Sequence, residues 1–243
     1  MKILSLLILF VSFAAFGQVN QKDSQGRKQG VWKKPYPNNT VFKYVGQFKN
    51  DKPHGKFVYY YESGAVEAVI NFKLDGTARC KMYHESGYMM AKGNYLNQKK
   101  DSIWLFYDDR GIISYQEGYK NGELHGQRVV YYEPRDGKYL IAQYSNWKNG
   151  LQHGDYKKYH PNMKLAEEGK WVDGQRDGMV KHYYPTGKQS RIERYQFGVK
   201  HGYWIFYNPQ GKQAGYHLYW HGKRLKGEEL KAREEYLRAQ KSK

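Results

Sequence analysis

From residue 26 onward, apolar and aromatic side chains alternate with polar ones over short runs, and glycines separate the runs at regular intervals. In Gly55-Lys56-Phe57-Val58-Tyr59-Tyr60, an extended backbone puts Phe57 and Tyr59 on one side of a strand and Val58 and Tyr60 on the other. Asn121-Gly122, Asn149-Gly150 and Asp173-Gly174 lie between such runs. Glycine accepts positive φ without a clash, so these dipeptides predict tight hairpin turns. Two segments break the pattern. Glu228 to Lys241 has no Gly or Pro and many helix formers, which predicts one helix near 228–240. Glu228 and Glu229 stand at its start and Lys241 near its end, as the helix dipole favours. Leu230 and Leu237 share a face. That face suits a cap over the last sheet edge or a docking surface for a partner. At the other end, Lys2 precedes an apolar run, Ile3 to Phe16, broken only by Ser5 and Ser12. The run is shorter than the ~20 residues that span a bilayer. Ala15 and Gly17 are small residues placed for cleavage before Gln18. Residues 1–17 are therefore expected to be a signal peptide. No transmembrane span is then expected after cleavage, and the protein is expected to be exported, periplasmic or secreted.

Aligned on glycines, residues 26–222 resolve into eight repeats with a period of about 24 residues. Residues 18–25 form a leader and 223–243 a basic tail. The eighth repeat, Gly202-Tyr203-Trp204-Ile205-Phe206-Tyr207-Asn208-Pro209-Gln210-Gly211, shows the pattern most clearly. The opening slot holds Gly30, Gly55, Ala78, Ser102, Gly126, Gly154, Gly178 and Gly202. Two residues on, the second slot holds Trp32, Phe57, Cys80, Trp104, Arg128, Tyr156, Val180 and Trp204. The fifth slot holds Pro35, Tyr60, Tyr83, Tyr107, Tyr131, Tyr159, Tyr183 and Tyr207. A turn glycine follows at Gly64, Gly87, Gly111, Gly137, Gly187 and Gly211, with Met163 in its place once. Each repeat closes on an aromatic: Phe48, Phe72, Tyr95, Tyr119, Trp147, Trp171, Tyr195 or Tyr219. A lone hairpin buries too little to be stable, so neighbours must stack. The expectation is all-β, an extended single antiparallel sheet of tandem hairpins with up to sixteen strands.

These residues resemble the MORN repeat, and more closely the bacterial variant grouped as YwqK-type antitoxins. The resemblance implies an extended sheet used for interaction, without catalytic residues of its own, and an antitoxin-like or immunity-like role. Two repeats depart from the pattern: the third has Ala78 and Cys80, and the fifth has Arg128 and two extra residues before Gly137. Packing is expected to be irregular there.

Composition narrows the chemistry. Aromatics make up 17 % of the chain, and 41 Lys and Arg against 23 Asp and Glu give a formal charge of +18. That surplus suits anionic partners. Cys80 is the single cysteine, which rules out an intramolecular disulfide and a CxxC clip, and its slot marks it as a core filler. His54, His125, His153 and His201 each precede an opening glycine. Equivalent slots lie about 10 Å apart, too far to share a zinc ion, whose ligand atoms sit at about 2 Å. Their expected role is to bond the neighbouring turn. Nucleophile elbow, P-loop and metalloprotease motifs do not occur. No catalytic, cofactor or metal site is expected, and the chain reads as a non-enzyme. Basic residues beside rings, as in Lys157-Lys158-Tyr159 and Lys33-Lys34-Pro35-Tyr36, could suit nucleic acid, but an export signal argues against that partner. The leading expectation is a scaffold for a protein partner. The second is a face for anionic lipid or acidic envelope glycan.

Overall fold

The computed structural model describes residues 18–37 and 40–241, so the signal segment expected over 1–17 lies outside it. Contacts divide the chain after Leu74 into two compact units. The first holds β1 (Gln21–Lys22), β2 (Lys28–Pro35), β3 (Phe42–Lys49), β4 (Lys52–Tyr60) and β5 (Val66–Phe72). Each pairs antiparallel with the next. The leader thus supplies a short strand of its own.

The second unit continues with β6 (Thr77–Tyr83), β7 (Met89–Leu96), β8 (Lys99–Tyr107), β9 (Ile113–Lys120), β10 (Glu123–Tyr131) and β11 (Ile141–Lys148). There follow β12 (Leu151–Tyr159), β13 (Leu165–Val172), β14 (Gln175–Arg176), β15 (Gly178–Tyr183) and β16 (Gln189–Gln196). The last elements are β17 (Val199–Lys200), β18 (Gly202–Tyr207), β19 (Gln213–Trp220), β20 (Lys223–Arg224) and α1 (Gly227–Lys241). Its ladders are antiparallel and run in hairpin succession. The fold is the expected all-β hairpin array with one C-terminal helix. Among the described residues, sixteen strands are the paired arms of the eight repeats. Of the four short extras, β14 and β17 are pieces cut off at opening glycines, and β1 and β20 flank the array.

The opening slot cuts or bends its strand because it takes left-handed backbone. Gly126 has φ +85° and Ser102, without glycine's freedom, has φ +60°. Pairing shifts register there: Lys92 faces Leu105, whereas Asn94 faces Asp101. This is a β-bulge, which re-aims the residues after it. Ala78 is not among the left-handed residues, so the third repeat runs on without this bulge.

Two kinds of turn close the hairpins. Within a repeat, Asp108 and Ile112 flank a short loop in which Gly111 N–H donates to Asp108 O at 3.0 Å and Asp108 N–H to Ile112 O at 2.8 Å. Met163 makes the same turn at φ +64°, with its N–H donating to His160 O at 2.8 Å. Between repeats, two residues suffice and both take positive φ, as at Asn149 and Gly150. These second turns are also bonded to one another's repeats. The amides of Gly150, Gly174, Gly198 and Gly222 donate to Leu124, Gln152, Arg176 and Lys200 carbonyls at 2.8–2.9 Å.

Candidate binding faces of the sheet

In each unit one face of the sheet, called inner here, carries the second-slot side chains and the closing aromatics. Phe57, Cys80, Trp104, Tyr156, Val180 and Trp204 are all buried. The Trp104 ring lies flat against the backbone at Gly93, where an added Cβ would stand inside contact distance of the ring; Phe57 covers Gly46 in the same way. Trp104 Nε1 donates to Asn94 O at 2.9 Å and Trp204 Nε1 to Arg194 O at 3.0 Å. Each indole is thereby satisfied by the preceding repeat. The closing aromatics complete the stack: Tyr95 meets Trp104 edge-on at 5.0 Å, and Phe48 meets Phe57 at 5.2 Å.

Cations fill the spaces between these rings. Lys100 Nζ sits 4.7 Å from the Trp104 ring and 4.9 Å from Tyr119. Lys200 repeats this at 4.4 Å from Trp204 and 5.1 Å from Tyr219. Lys28 does so at 4.9 Å from Trp32 and 4.8 Å from Phe48. An ammonium held over aromatic faces is attracted by their quadrupoles. Burial nevertheless lowers the Lys100 pKa, against the opposing pull of Glu117. Burial also pushes the Cys80 thiol up to about 11, which keeps it protonated and unreactive at neutral pH.

At Arg128 the second slot departs from the aromatic pattern, and the residue across from it on the preceding hairpin departs too. Arg128 pairs in register with Glu117, and its Nε donates to Glu117 Oε1 at 2.8 Å. Tyr156 faces the small Ser145 in the same register. On the preceding hairpin, Gly93 lies beneath Trp104 and Ser145 across from Tyr156, whereas a carboxylate stands across from Arg128. The fifth repeat thus packs through an ion pair instead of a ring at Arg128, and its longer loop closes on an isolated Arg135–Lys138 bridge unlike the other described hairpins. Further along the same face, Glu167 and Glu193 anchor a network. Glu167 accepts from Tyr156 Oη at 2.7 Å and Arg176 at 3.1 Å. Glu193 accepts from Tyr195 Oη at 2.9 Å and pairs with Arg191 Nε at 2.7 Å. His182 lies between them, 3.5 Å from Glu167 and 3.3 Å from Glu193. Burial alone would raise both carboxyls. For Glu167 the Tyr156 hydrogen bond and the Lys158, His182 and Arg176 charges outweigh it. For Glu193 the His182 and Tyr195 bonds and Arg191 do so. Both stay below the usual carboxylate range.

The opposite, outer face carries the fifth slot. Tyr60, Tyr83, Tyr107, Tyr131, Tyr159, Tyr183 and Tyr207 are all half-buried. Their rings reach back to the preceding hairpin: Tyr183 Oη donates to Glu168 at 2.7 Å, Tyr131 Oη to Gln116 at 3.3 Å, and Lys92 Nζ lies 5.7 Å from the Tyr107 ring. The bulge that closes each strand falls between the fourth and fifth slots, as at Phe106/Tyr107. The residue after the tyrosine reaches forward instead. Tyr36, Tyr132 and Tyr184 donate through Oη to the carbonyls of Tyr60, Tyr159 and Tyr207 at 2.6–2.8 Å. His160 Nε2 meets Tyr183 O at 2.9 Å. Sequence reading missed this sixth slot, although Tyr36, Tyr132, His160 and Tyr184 recur at the repeat period. Beside the tyrosines, Ile103 is 60 % exposed and Met179 is 37 % exposed.

The histidines before the opening glycines do not behave as one set. His153 Nδ1 lies 3.0 Å from Asp173 Oδ1 of the next turn, the expected role. His54 and His125 instead have a buried Nδ1 with no hydrogen-bond partner, and the His201 ring lies tilted against Trp220 at 4.5 Å. Among the described residues, no three His, Cys, Asp or Glu side chains are grouped to hold a metal. The helix also departs from expectation. It lies over the outer face of the last hairpin rather than along the sheet edge. Tyr216 Oη donates to Glu234 at 2.8 Å, and the Arg233 guanidinium lies 3.3 Å over the Trp220 ring. Its Leu237 shares a cleft with Tyr203, Ile205 and Leu218. The outer face wins because Ile205 and Leu218 give it an apolar floor, whereas the remaining edge of β19 offers only backbone groups. No described helix is long and apolar enough to cross a membrane.

Compared with known proteins, three segments match the MORN repeat family: residues 44–66, 145–154 and 168–189. No curated protein matches the chain.

Proposed function

We propose that this chain is an exported, non-enzymatic scaffold whose outer sheet face holds a protein partner. MORN repeats suggest a binding scaffold, and the distribution of side chains between the two faces supports this use of it. Inner-face rings are taken up by one another, by Lys28, Lys100, Lys200 and Arg176, and by the Glu167–Glu193 network. The outer face presents half-buried tyrosines at every repeat from Tyr83 to Tyr207, with Ile103 and Met179 standing clear of the sheet. Tyrosines backed by packed neighbours are the anchors that carry protein interfaces. The same face already receives one element, α1, which lies over the last repeat through Arg233, Glu234 and Leu237. Export rests on the segment Met1 to Gly17. An immunity-like role, implied by the YwqK-type resemblance, is the form this function takes if the partner is an exported toxin.

The test is site-specific photo-crosslinking in the native envelope. A crosslinker at Ile103 should capture one protein species, and one at Asp109, in a hairpin turn, should not. The capture should persist at high salt, because apolar contacts are not screened. Capture that vanishes with salt and yields only lipid or glycan would overturn the protein-partner reading in favour of the anionic-surface one. Recovery of the chain in the cytosol with Met1 intact would overturn export.

A further inference from the structure

Where α1 crosses the last repeat it does not seal against the sheet. A cleft of about 570 Å³ remains between them, within the range of small-ligand sites. Its walls are apolar: Ile205 and Leu218 from the sheet, Leu237 from the helix, and the rings of Tyr203 and Trp220. Its polar groups are mostly of one sign. Arg194 comes from β16, and Arg233 and Arg238 from the helix, against the single carboxylate of Glu234, which already accepts from Tyr216. Arg233 Nε is buried there without a hydrogen-bond partner. A guanidinium N–H left in this state is costly unless something accepts from it. Burial, with the neighbouring His221 and Arg233, lowers the pKa of the fourth basic group, His201.

We propose that this cleft binds a small amphiphilic carboxylate, a single anionic head on an apolar or aromatic body. Arginines meet the head and the Ile205, Leu218 and Leu237 walls take the body. A bare inorganic anion would leave those walls wet, and a neutral amphiphile would offer Arg233 Nε no charged acceptor. The inference is independent of the protein-partner reading, since it concerns the cleft under α1 and not the open tyrosine face.

Calorimetric titration of the full chain with octanoate, octanol and phosphate tests it. Octanoate should bind saturably at one site, octanol about tenfold more weakly or worse, and phosphate not measurably. Leu237→Trp should fill the cleft and abolish binding. Arg194→Gln lies on the sheet and leaves the helix sequence intact, and it should weaken octanoate about tenfold without changing octanol. Lys158→Gln, remote from the cleft, should bind as the parent does. Absence of saturable octanoate binding overturns the proposal. So does octanol binding as well as octanoate, or parent-like octanoate affinity in Arg194→Gln.

Discussion

Gly93 and Gly215 show what a residue contributes in this architecture. Neither needs left-handed backbone, so an alanine is acceptable to the main chain at both. They differ in what lies above them. The Trp104 ring occupies the place of a Cβ at Gly93, whereas nothing stands within 4 Å of the corresponding point at Gly215. Gly93→Ala must push a fully buried indole off its Asn94 hydrogen bond or bend the strand. Overpacking of this kind costs about 1–3 kcal/mol, while Gly215→Ala should stay within about 0.5 kcal/mol of the parent. Urea midpoints of the two variants measure the difference, and equal midpoints would mean that the ring can move aside freely. Glycine thus serves two separate purposes here, backbone conformation at the turns and bulges and clearance beneath the rings at Gly46 and Gly93, while Gly215 serves neither.

At three repeats the second slot is matched to its partner on the preceding hairpin. Glycine or serine accompanies a ring at Gly93/Trp104 and Ser145/Tyr156, and a carboxylate accompanies the cation at Glu117/Arg128. Arg128→Ala leaves Glu117 buried without its partner, a loss of about 3–5 kcal/mol. Glu117→Gly alone leaves the half-buried Arg128 guanidinium without its carboxylate. The double variant Glu117→Gly/Arg128→Trp recreates the Gly93/Trp104 arrangement, and should be more stable than either single variant despite the acceptor lost to Tyr119. A double-mutant cycle by chemical denaturation reads the coupling, and additive losses would show that the two positions are independent. This pairing also marks how far the sequence could be read. Turn dipeptides, strand alternation and the sixteen main strands were legible because each depends on residues close in the chain. The Glu117–Arg128 match, the clearance at Gly46 and Gly93, and the Tyr132 and Tyr184 bonds were not. They depend on register between strands, and a one-residue bulge at the opening slot decides which side chains meet. The helix was legible as a helix from its composition, but its seat on Ile205 and Leu218 was not, because edge and face are equally apolar-compatible from Leu230 and Leu237 alone.

At the scale of the whole C-terminal unit, the strands from Thr77 to Arg224 form ladders in which each hairpin touches its neighbours. Apart from α1 on the last repeat, no second layer of secondary structure covers them among the described residues. Stability in such an array is the sum of repeat and nearest-neighbour contributions. Damage should therefore spread by adjacency and fade with distance. Trp104 is the most completely buried large side chain, at 0 % exposure, and it joins Gly93 and Asn94 of the third repeat to Tyr119 and Lys100 of the fourth. Trp104→Ala should remove about 3–5 kcal/mol. Native-state hydrogen exchange should show the loss in β6 to β11, the hairpins that meet this ring and their neighbours. Protection in β18 and β19 should stay near the parent level, because the Trp204 stack there has its own lysine, its own closing tyrosine and its own bond to Arg194. Uniform loss from β6 to β19 would mean that the unit unfolds as one cooperative block. The aromatic ladder would then be a single core rather than a chain of locally sufficient ones, and a partner gripping one repeat would stabilise all six.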